Sequence, residues 1–289
     1  MKKYIKLMRV HHYIKNGLIL LPLIFSMRLG DISLLTKTII GVIAFCIISS
    51  AVYIINDIKD LESDRRHITK RNRPLASGEV SIKSAWVLAS CLFVAAVFIN
   101  IFASNYALNS WFYLFAYIAF NYGYSCGLKN VPIVDVMILA SGFLLRVLYG
   151  SAISGIDISS WLYLTVIALS FYLSLGKRRN ELTRQKTGQT SRKALQYYSY
   201  DFLDKIMYLC LALVISFYSL WSIDPLTIQR ISSTYLVWTV PLVIIIFMKY
   251  SLTIEGGSEG DPIEVIIKDR ILLLLIGLFA VIVLSIIYL

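Results

Sequence analysis

Three aspartates with helical spacing stand directly after a long apolar segment. Asp57, Asp60 and Asp64 lie three and four residues apart, so a helix with 3.6 residues per turn carries them on one face. Asn56 precedes Asp60 by four residues and joins that face. Hard oxygen ligands in this arrangement suit Mg²⁺, which binds through a few carboxylates and substrate phosphates. The alternative, an acidic start of a solvated helix, explains Asp57 but not Asp64.

Cationic residues follow these aspartates in the same polar segment. Seven Lys and Arg residues lie between positions 59 and 83. Arg73 is held in a restricted backbone conformation by the proline that follows it. Arg and Lys can neutralise phosphate oxygens that a metal ion does not reach, so the segment suits a substrate with several phosphates. A purely topological role for these cations is the alternative.

A second polar segment carries Lys177, Arg178 and Glu181. Residues three or four apart are neighbours on a helix, so these side chains can share the end of one helix. Cations are favourable at the C-terminal end of a helix. The alternative is an anchor whose charged ends reach the membrane surface.

Two charges, Asp135 and Arg146, lie within an apolar segment. Charges at membrane depth are costly and face a cavity or a partner. Their separation of eleven residues is close to three helical turns, so they point the same way, ~16 Å apart along the axis. We expect Asp135 near the reaction end of its helix and Arg146 deeper, bonded to a neighbouring helix.

The composition indicates that membrane helices carry these residues. Apolar residues make up 58% of the 289 residues, charged residues make up 16%, and no polar block is long enough for a soluble domain. Backbone groups in lipid must be satisfied within each segment, which favours helices of about 20 residues. The sequence therefore predicts an all-α, polytopic membrane protein with one integral membrane domain over 1–289, and residues 3–14 as an interfacial amphipathic helix. The nine candidate spans are 16–29, 32–55, 82–102, 106–123, 133–153, 160–176, 206–223, 234–252 and 270–289.

The distribution of cations predicts the orientation. With the N-terminus inside and nine crossings, 24 of the 28 Lys and Arg residues fall on the inner side. This asymmetry favours a cytoplasmic N-terminus and an outer C-terminus, in a bacterial plasma membrane. The net charge of +11 attracts anionic head groups and phosphorylated substrates, and we expect no nucleic-acid partner. The sequence leaves open a homo-oligomer.

Four cysteines lie in or beside apolar segments without paired spacing. That pattern argues against a disulfide or a zinc site. We expect the cysteines to be small packing residues.

The first polar segment resembles the first aspartate-rich motif of the UbiA superfamily of intramembrane prenyltransferases. It reads Asn56-Asp57-x-x-Asp60-x-x-x-Asp64, followed by Arg73-Pro74-Leu75-x-x-Gly78. The resemblance implies a nine-helix bundle with a cavity that opens toward the cytosol. It also implies that this motif binds a Mg²⁺-diphosphate.

The second half departs from the aromatic prenyltransferases of that superfamily. Those proteins carry a second Asp-x-x-x-Asp after the sixth span, where this chain has Gly176-Lys177-Arg178-Arg179-Asn180-Glu181-Leu182. This element resembles the branch that contains decaprenyl-phosphate phosphoribosyltransferase. Three more elements share the resemblance: Arg9-x-x-x-Tyr13-x-Lys15-Asn16; Tyr124-Ser125-x-x-Leu128-Lys129 with Pro132-x-x-Asp135; and Ser141-Gly142-Phe143-Leu144-Leu145-Arg146.

The resemblance implies a Mg²⁺-dependent transfer of 5-phosphoribose from phosphoribosyl pyrophosphate to a polyprenyl phosphate. In this interpretation Asp57, Asp60 and Asp64 bind the metal. The implied catalytic residues are these three and Asp135; the donor-binding residues are Asn56, Arg73, Lys177, Arg178 and Glu181; and the residues for the lipid phosphate are Lys15, Asn16, Tyr124 and Lys129. Two alternatives remain, an aromatic prenyltransferase that uses a prenyl diphosphate and a non-enzymatic membrane carrier or scaffold.

Overall fold

The computed structural model describes residues 2–67, 70–104, 108–186, 193–256 and 261–289, and all regular secondary structure in these ranges is helical. The chain divides into two compact units. Unit 1 comprises Met1–Ile24, Arg28–Ile138 and Leu145–Ile156, and unit 2 comprises Phe25–Met27, Leu139–Leu144 and Asp157–Leu289. A single membrane domain over 1–289 stays a prediction.

Among the described residues, the first half of the chain forms seven α-helices and three 3-10 segments. The α-helices are α1 (Lys2–Met8), α2 (Leu21–Phe25), α3 (Ile32–Lys59), α4 (Leu61–Arg66), α5 (Ile82–Ser104), α6 (Leu108–Ser125) and α7 (Val134–Ser154). The 3-10 segments are Val10–Leu20, Lys70–Asn72 and Leu128–Asn130.

In the described part of the second half, the chain forms six α-helices and two 3-10 segments. The α-helices are α8 (Ser160–Lys186), α9 (Tyr200–Ile223), α10 (Pro225–Ile231), α11 (Val240–Glu255), α12 (Pro262–Lys268) and α13 (Arg270–Tyr288). The 3-10 segments are Lys193–Tyr197 and Tyr235–Thr239. Side chains of Ser199, Asp224, Asp261 and Asp269 accept backbone N–H groups at the starts of α9, α10, α12 and α13, which satisfies donors that have no partner within the helix.

Six helical segments among the described residues are long and apolar enough to cross a membrane. They are Ile32–Lys59, Ile82–Ser104, Val134–Ser154, Tyr200–Ile223, Tyr235–Glu255 and Arg270–Tyr288. Helices α6 and α8 coincide with two further predicted spans, so the count of nine remains a prediction.

Two predictions for the N-terminal region are wrong in detail. The predicted span 16–29 is not one helix, because the chain is 3-10 helical to Leu20 and α2 then covers five residues. Pro22 has no backbone N–H and is tolerated in the first turn of a helix, so the α-helix begins at Leu21 instead of extending back to residue 16. The predicted amphipathic helix over 3–14 ends at Met8, and Arg9 adopts a left-handed conformation with φ 52° and ψ 47°.

A close backbone contact holds the long 3-10 segment against α7 within unit 1. A Cβ atom placed on Gly150 would lie 2.0 Å from the backbone oxygen of Ile19, so only glycine permits this approach. Fully buried side chains of Ile19, Phe45 and Tyr149 pack around it. This packing fixes the segment that follows Arg9.

Candidate functional site

The three aspartates lie at the junction of α3 and α4. They do not lie on one continuous helix, because α3 ends at Lys59, α4 begins at Leu61, and Asp60 has φ −90° and ψ 5°. Backbone hydrogen bonds cross the junction, from Asp60 N to Asn56 O at 2.9 Å and from Asp64 N to Asp60 O at 2.8 Å. The i to i+4 hydrogen-bond pattern of a helix therefore continues across Asp60. Asp57 and Asp64 are each 3% exposed.

Each of these carboxylates is paired with a cation. Asp57 Oδ1 accepts hydrogen bonds from Arg9 Nη2 and, at 3.1 Å, from Arg73 Nη1. Arg73 Nη1 also donates to Asp64 Oδ2 at 2.6 Å. Lys129 Nζ pairs with Asp60 Oδ1. Three segments that are distant in sequence thus deliver positive charge to one acidic junction.

Two of the aspartates fit a magnesium ion. Asp57 and Asp64 are nearly buried and converge on one positively charged atom, Arg73 Nη1. Two carboxylates this close together suit a Mg²⁺ ion beside the guanidinium of Arg73, since the ion completes its coordination with water and phosphate oxygens. Within the described ranges, however, no three Asp, Glu, His or Cys side chains gather into a ligand group. The predicted three-carboxylate set is not assembled, since Asp60 turns toward Lys129.

The end of α6 is tied to the end of α3. Ser125 Oγ donates to Asn56 Oδ1 at 2.9 Å, and Lys59 Nζ donates to Cys126 Sγ at 2.8 Å. The hydrogen bond from Lys59 lowers the pKa of the Cys126 thiol. All four cysteines are free, but Cys91 and Cys126 are exposed, so the expectation that every cysteine is a packing residue is wrong.

Arg9 is a site residue that our assignment from the sequence missed. Its guanidinium pairs with Asp57 and lies 5.2 Å from the centre of the Tyr53 ring, a cation–π contact. The available signal was a cation that interrupts an apolar stretch near the start of the chain. No local sequence pattern indicates that Arg9 contacts Asp57.

The residues predicted to bind a lipid phosphate have different surroundings. Asn16 is 1% exposed; its amide nitrogen donates to Cys46 Sγ at 3.1 Å and its oxygen accepts from Arg146 Nε at 2.7 Å. Its polar atoms therefore have partners inside unit 1, and the lipid-phosphate role of Asn16 stays a prediction. Lys15 and Tyr124 are partly exposed, and Lys129 faces Asp60.

Both charges of α7 are buried. Asp135 is fully buried, and Arg146 is 4% exposed. The guanidinium of Arg146 lies 5.1 Å from the Phe45 ring centre and 5.0 Å from that of Tyr117, in addition to its hydrogen bond to Asn16. The prediction that Arg146 bonds to a neighbouring element is confirmed.

In unit 2, α8 carries the predicted donor-binding cluster. Arg178 and Glu181 form an ion pair at 2.5 Å on one side of the helix, as their spacing predicts. Arg178 is fully buried, so direct contact with a donor does not fit it. Lys177 is partly exposed, with Nζ 3.9 Å from Asp261 Oδ2.

Arg179, which follows, ties three helices of unit 2 together. Its Nε lies 2.7 Å from Asp204 Oδ1 of α9, and its Nη2 lies 3.2 Å from Glu255 Oε1 at the end of α11. Its side chain is 4% exposed, whereas Asp204 and Glu255 are 31% and 48% exposed, so the ion pairs lie at the edge of the buried region. We interpret Arg179 as a structural residue that holds the end of α8 in place.

The first unit thus combines an acidic junction after a membrane helix with three cations and a buried polar interior. A sequence model of the UbiA prenyltransferase family matches residues 19–265. The chain belongs to the UbiA prenyltransferase family. With its long apolar helices, this UbiA-family chain is a multi-pass membrane protein.

Two similar relatives carry the same name. The decaprenyl-phosphate phosphoribosyltransferase of Mycolicibacterium smegmatis is 34% identical over 286 residues, which cover 94% of this chain and 88% of that protein. The decaprenyl-phosphate phosphoribosyltransferase of Corynebacterium glutamicum is 32% identical over 278 residues, which cover 93% and 81%.

A solved structure shares the fold. A UbiA homolog from Archaeoglobus fulgidus, bound to GPP and Mg²⁺, superimposes with a TM-score of 0.68 and covers 99% of this chain and 100% of that chain. Its sequence identity is 17%, so the comparison shows the fold alone.

Proposed function

We propose that this UbiA-family protein is a polyprenyl-phosphate phosphoribosyltransferase, a transferase that moves 5-phosphoribose from phosphoribosyl pyrophosphate to a polyprenyl phosphate and releases pyrophosphate. The observation that carries the proposal is the alignment of 94% of this chain with a decaprenyl-phosphate phosphoribosyltransferase at 34% identity. The cationic segment 177–179, which stands where aromatic prenyltransferases carry a second aspartate pair, supports it.

Mg²⁺ is the proposed cofactor, and its proposed ligands are Asp57 and Asp64, with Asp60 beside them. The convergence of the first two carboxylates on one charged atom supports this assignment. When bound, Mg²⁺ draws negative charge away from the leaving diphosphate. The Mg²⁺ present in the A. fulgidus structure is consistent with a metal-dependent family.

The chain's own residues mainly bind substrates and neutralise charge. The nucleophile, a lipid phosphate oxygen, is already an anion, so no strong general base is required. Arg73 is in position to donate to donor phosphates, because its guanidinium already lies between two of the carboxylates. Positioning and charge neutralisation in a partly dry site supply the rate enhancement.

We also propose roles for the other predicted site residues. Asn56, held by Ser125, and Lys177 bind the donor, and Glu181 acts through its ion pair with Arg178. Lys15, Tyr124 and Lys129 serve the lipid phosphate, with Lys129 moving from Asp60 to do so. Asp135, in the first turn of α7, is the remaining proposed catalytic residue.

We further propose the architecture in which these residues act. It is a nine-helix bundle in one integral membrane domain, with a cavity open to the cytosol. The N-terminus is cytoplasmic and the C-terminus lies outside the bacterial plasma membrane. The placement of 24 of 28 Lys and Arg residues on one side supports this orientation.

Product extraction tests the function. Purified protein in detergent is incubated with Mg²⁺, phosphoribosyl pyrophosphate labelled in the ribose, and a polyprenyl phosphate. We expect the label to pass into the organic phase only when both substrates and the metal ion are present. If the label stays aqueous while a prenyl group is transferred from a prenyl diphosphate to an aromatic acid, the protein is an aromatic prenyltransferase. If no transfer occurs with either pair, the carrier or scaffold interpretation replaces both.

A further inference from the structure

One carboxylate oxygen at the α3–α4 junction serves two guanidinium groups. Asp57 Oδ1 accepts from both Arg9 Nη2 and Arg73 Nη1. A carboxylate oxygen offers about two lone pairs, so these two donors use the hydrogen-bonding capacity of Oδ1. A metal ion can coordinate Oδ1 only if one of the two donors leaves. A metal ion on the other oxygen of Asp57 would be repelled by both guanidiniums at close range.

Arg9 is the donor that is held less firmly. Arg73 Nη1 bridges Asp57 and Asp64, at 3.1 and 2.6 Å, so its departure breaks two contacts. Arg9 contacts the single oxygen of Asp57, and the rest of its guanidinium lies over the Tyr53 ring. Its backbone is left-handed, with φ 52°, a conformation that a non-glycine residue keeps only when its surroundings enforce it.

A displaced Arg9 has a defined new partner. Its guanidinium starts beside the carboxylate that would hold the metal ion, and a metal-bound diphosphate brings several anionic oxygens to that place. Arg binds such oxygens through a planar fork of donors, more specifically than Lys does.

We propose that Arg9 and the divalent cation compete for Asp57, and that the displaced Arg9 then binds the diphosphate of the donor. The donor half of this proposal rests on the proposed function, whereas the competition does not. Metal and donor binding become coupled, because the diphosphate offers the displaced guanidinium a replacement anion. Arg9 is therefore a donor-binding residue that also lowers the metal affinity of the protein without donor.

Mn²⁺ binding tests the competition without any donor. The full-length protein in detergent is titrated with Mn²⁺, and free Mn²⁺ is read by electron paramagnetic resonance. We expect Arg9→Gln to bind Mn²⁺ roughly three- to tenfold more tightly than the wild type, because a competing cation is gone. Lys3→Gln is the matched control, since Lys3 is a cation of α1 whose Nζ donates to the backbone oxygen of Glu79 at 2.9 Å instead of to a carboxylate. It should bind Mn²⁺ as the wild type does.

Donor kinetics test the second half. At saturating Mg²⁺, Arg9→Gln should raise the donor KM about tenfold or more, while Lys3→Gln leaves it unchanged. An ion pair with only a structural role would leave the donor KM of a folded variant at the wild-type value. If Arg9→Gln does not fold, Arg9→Lys takes its place, because its shorter, single ammonium must loosen the contact with Asp57 and so tighten Mn²⁺ binding.

Two results overturn the proposal. If the folded Arg9 variant binds Mn²⁺ as weakly as the wild type does, or more weakly, Arg9 and the metal ion do not compete for Asp57. If the donor KM of the Arg9 variant equals that of the wild type, Arg9 does not bind the donor. If the wild type ignores phosphoribosyl pyrophosphate but uses a prenyl diphosphate, the proposed function fails, and the same KM comparison is made with the prenyl diphosphate.

Discussion

Asp57 and Asp64 are almost completely buried, yet each retains a cationic partner within unit 1. A buried carboxylate without such a partner would be costly, so the cations and the carboxylates stabilise one another. At the scale of single residues, the acidic junction is therefore a set of paired charges.

Neutralising these aspartates should abolish turnover. Asp57→Asn or Asp64→Asn is expected to remove nearly all phosphoribosyl transfer, because an amide binds Mg²⁺ poorly and leaves the leaving diphosphate without its counter-charge. EDTA should have the same effect on the wild type. Glu62→Gln is the matched control, since Glu62 lies on α4 with its side chain 74% exposed. Full turnover in EDTA would contradict the prediction.

The thiol of Cys126 should react at a lower pH than an ordinary cysteine. The hydrogen bond from Lys59 stabilises the thiolate and lowers the pKa of Cys126, so the thiolate is present at lower pH than in a free cysteine. Lys59→Gln removes that hydrogen bond and should move the onset of alkylation to higher pH. The measurement is iodoacetamide labelling across about pH 6 to 9, read by mass spectrometry. Identical pH profiles of labelling in the wild type and Lys59→Gln would refute the role of Lys59. The Cys126→Ser variant identifies which labelling signal belongs to the Cys126 thiol.

At the scale of elements, the N-terminal 3-10 segment connects α7 to the acidic junction. Asn16 in this segment is bonded to Arg146 of α7, and Gly150 of α7 lets its backbone approach closely. Arg9 stands at the start of the same segment. The position of the Arg9 side chain therefore depends on packing along α7, several turns from the aspartates.

Adding one methyl group to α7 should disturb this connection. In Gly150→Ala the new Cβ would meet the backbone oxygen of Ile19 at 2.0 Å, and a backbone atom cannot rotate away as a side chain can. Overpacking of this kind costs about 1–3 kcal/mol or more, so we expect a lower thermal unfolding temperature and reduced activity. Gly277→Ala in α13 is the control, because nothing lies within 4 Å of its new Cβ. Equal unfolding temperatures for the two variants would show that the 3-10 segment can move away from α7 without a loss of stability.

At the scale of the whole molecule, the cations specify an orientation in the membrane. A reporter fused after Leu289 should lie outside, and a reporter inserted near Gly188, which falls outside the described residues, should lie in the cytoplasm. Alkaline phosphatase and green fluorescent protein fusions report the two sides. Detection of both positions on one side would exclude the nine-span arrangement.

Sequence patterns alone predict the class of fold and the pairing of nearby residues along a helix. Apolar segments predicted membrane helices, because backbone groups in lipid must bond within each segment. The spacing of Asp57, Asp60 and Asp64 predicts that they lie on one side of the chain. The pairing of Arg178 with Glu181 followed from helical periodicity.

Contacts between residues that are distant in sequence depend on the tertiary structure. Arg9 and Asp57 are 48 residues apart, Lys129 and Asp60 are 69 apart, and Arg146 and Asn16 are 130 apart. Helical periodicity tells which residues share a face, but it carries no information about the element that the face packs against. That choice depends on close packing across the unit, such as the contact of Gly150 with Ile19. For this reason the sequence could assign Asn16 to a lipid phosphate without indicating that Asn16 bonds to Arg146 or that Arg9 contacts the aspartates.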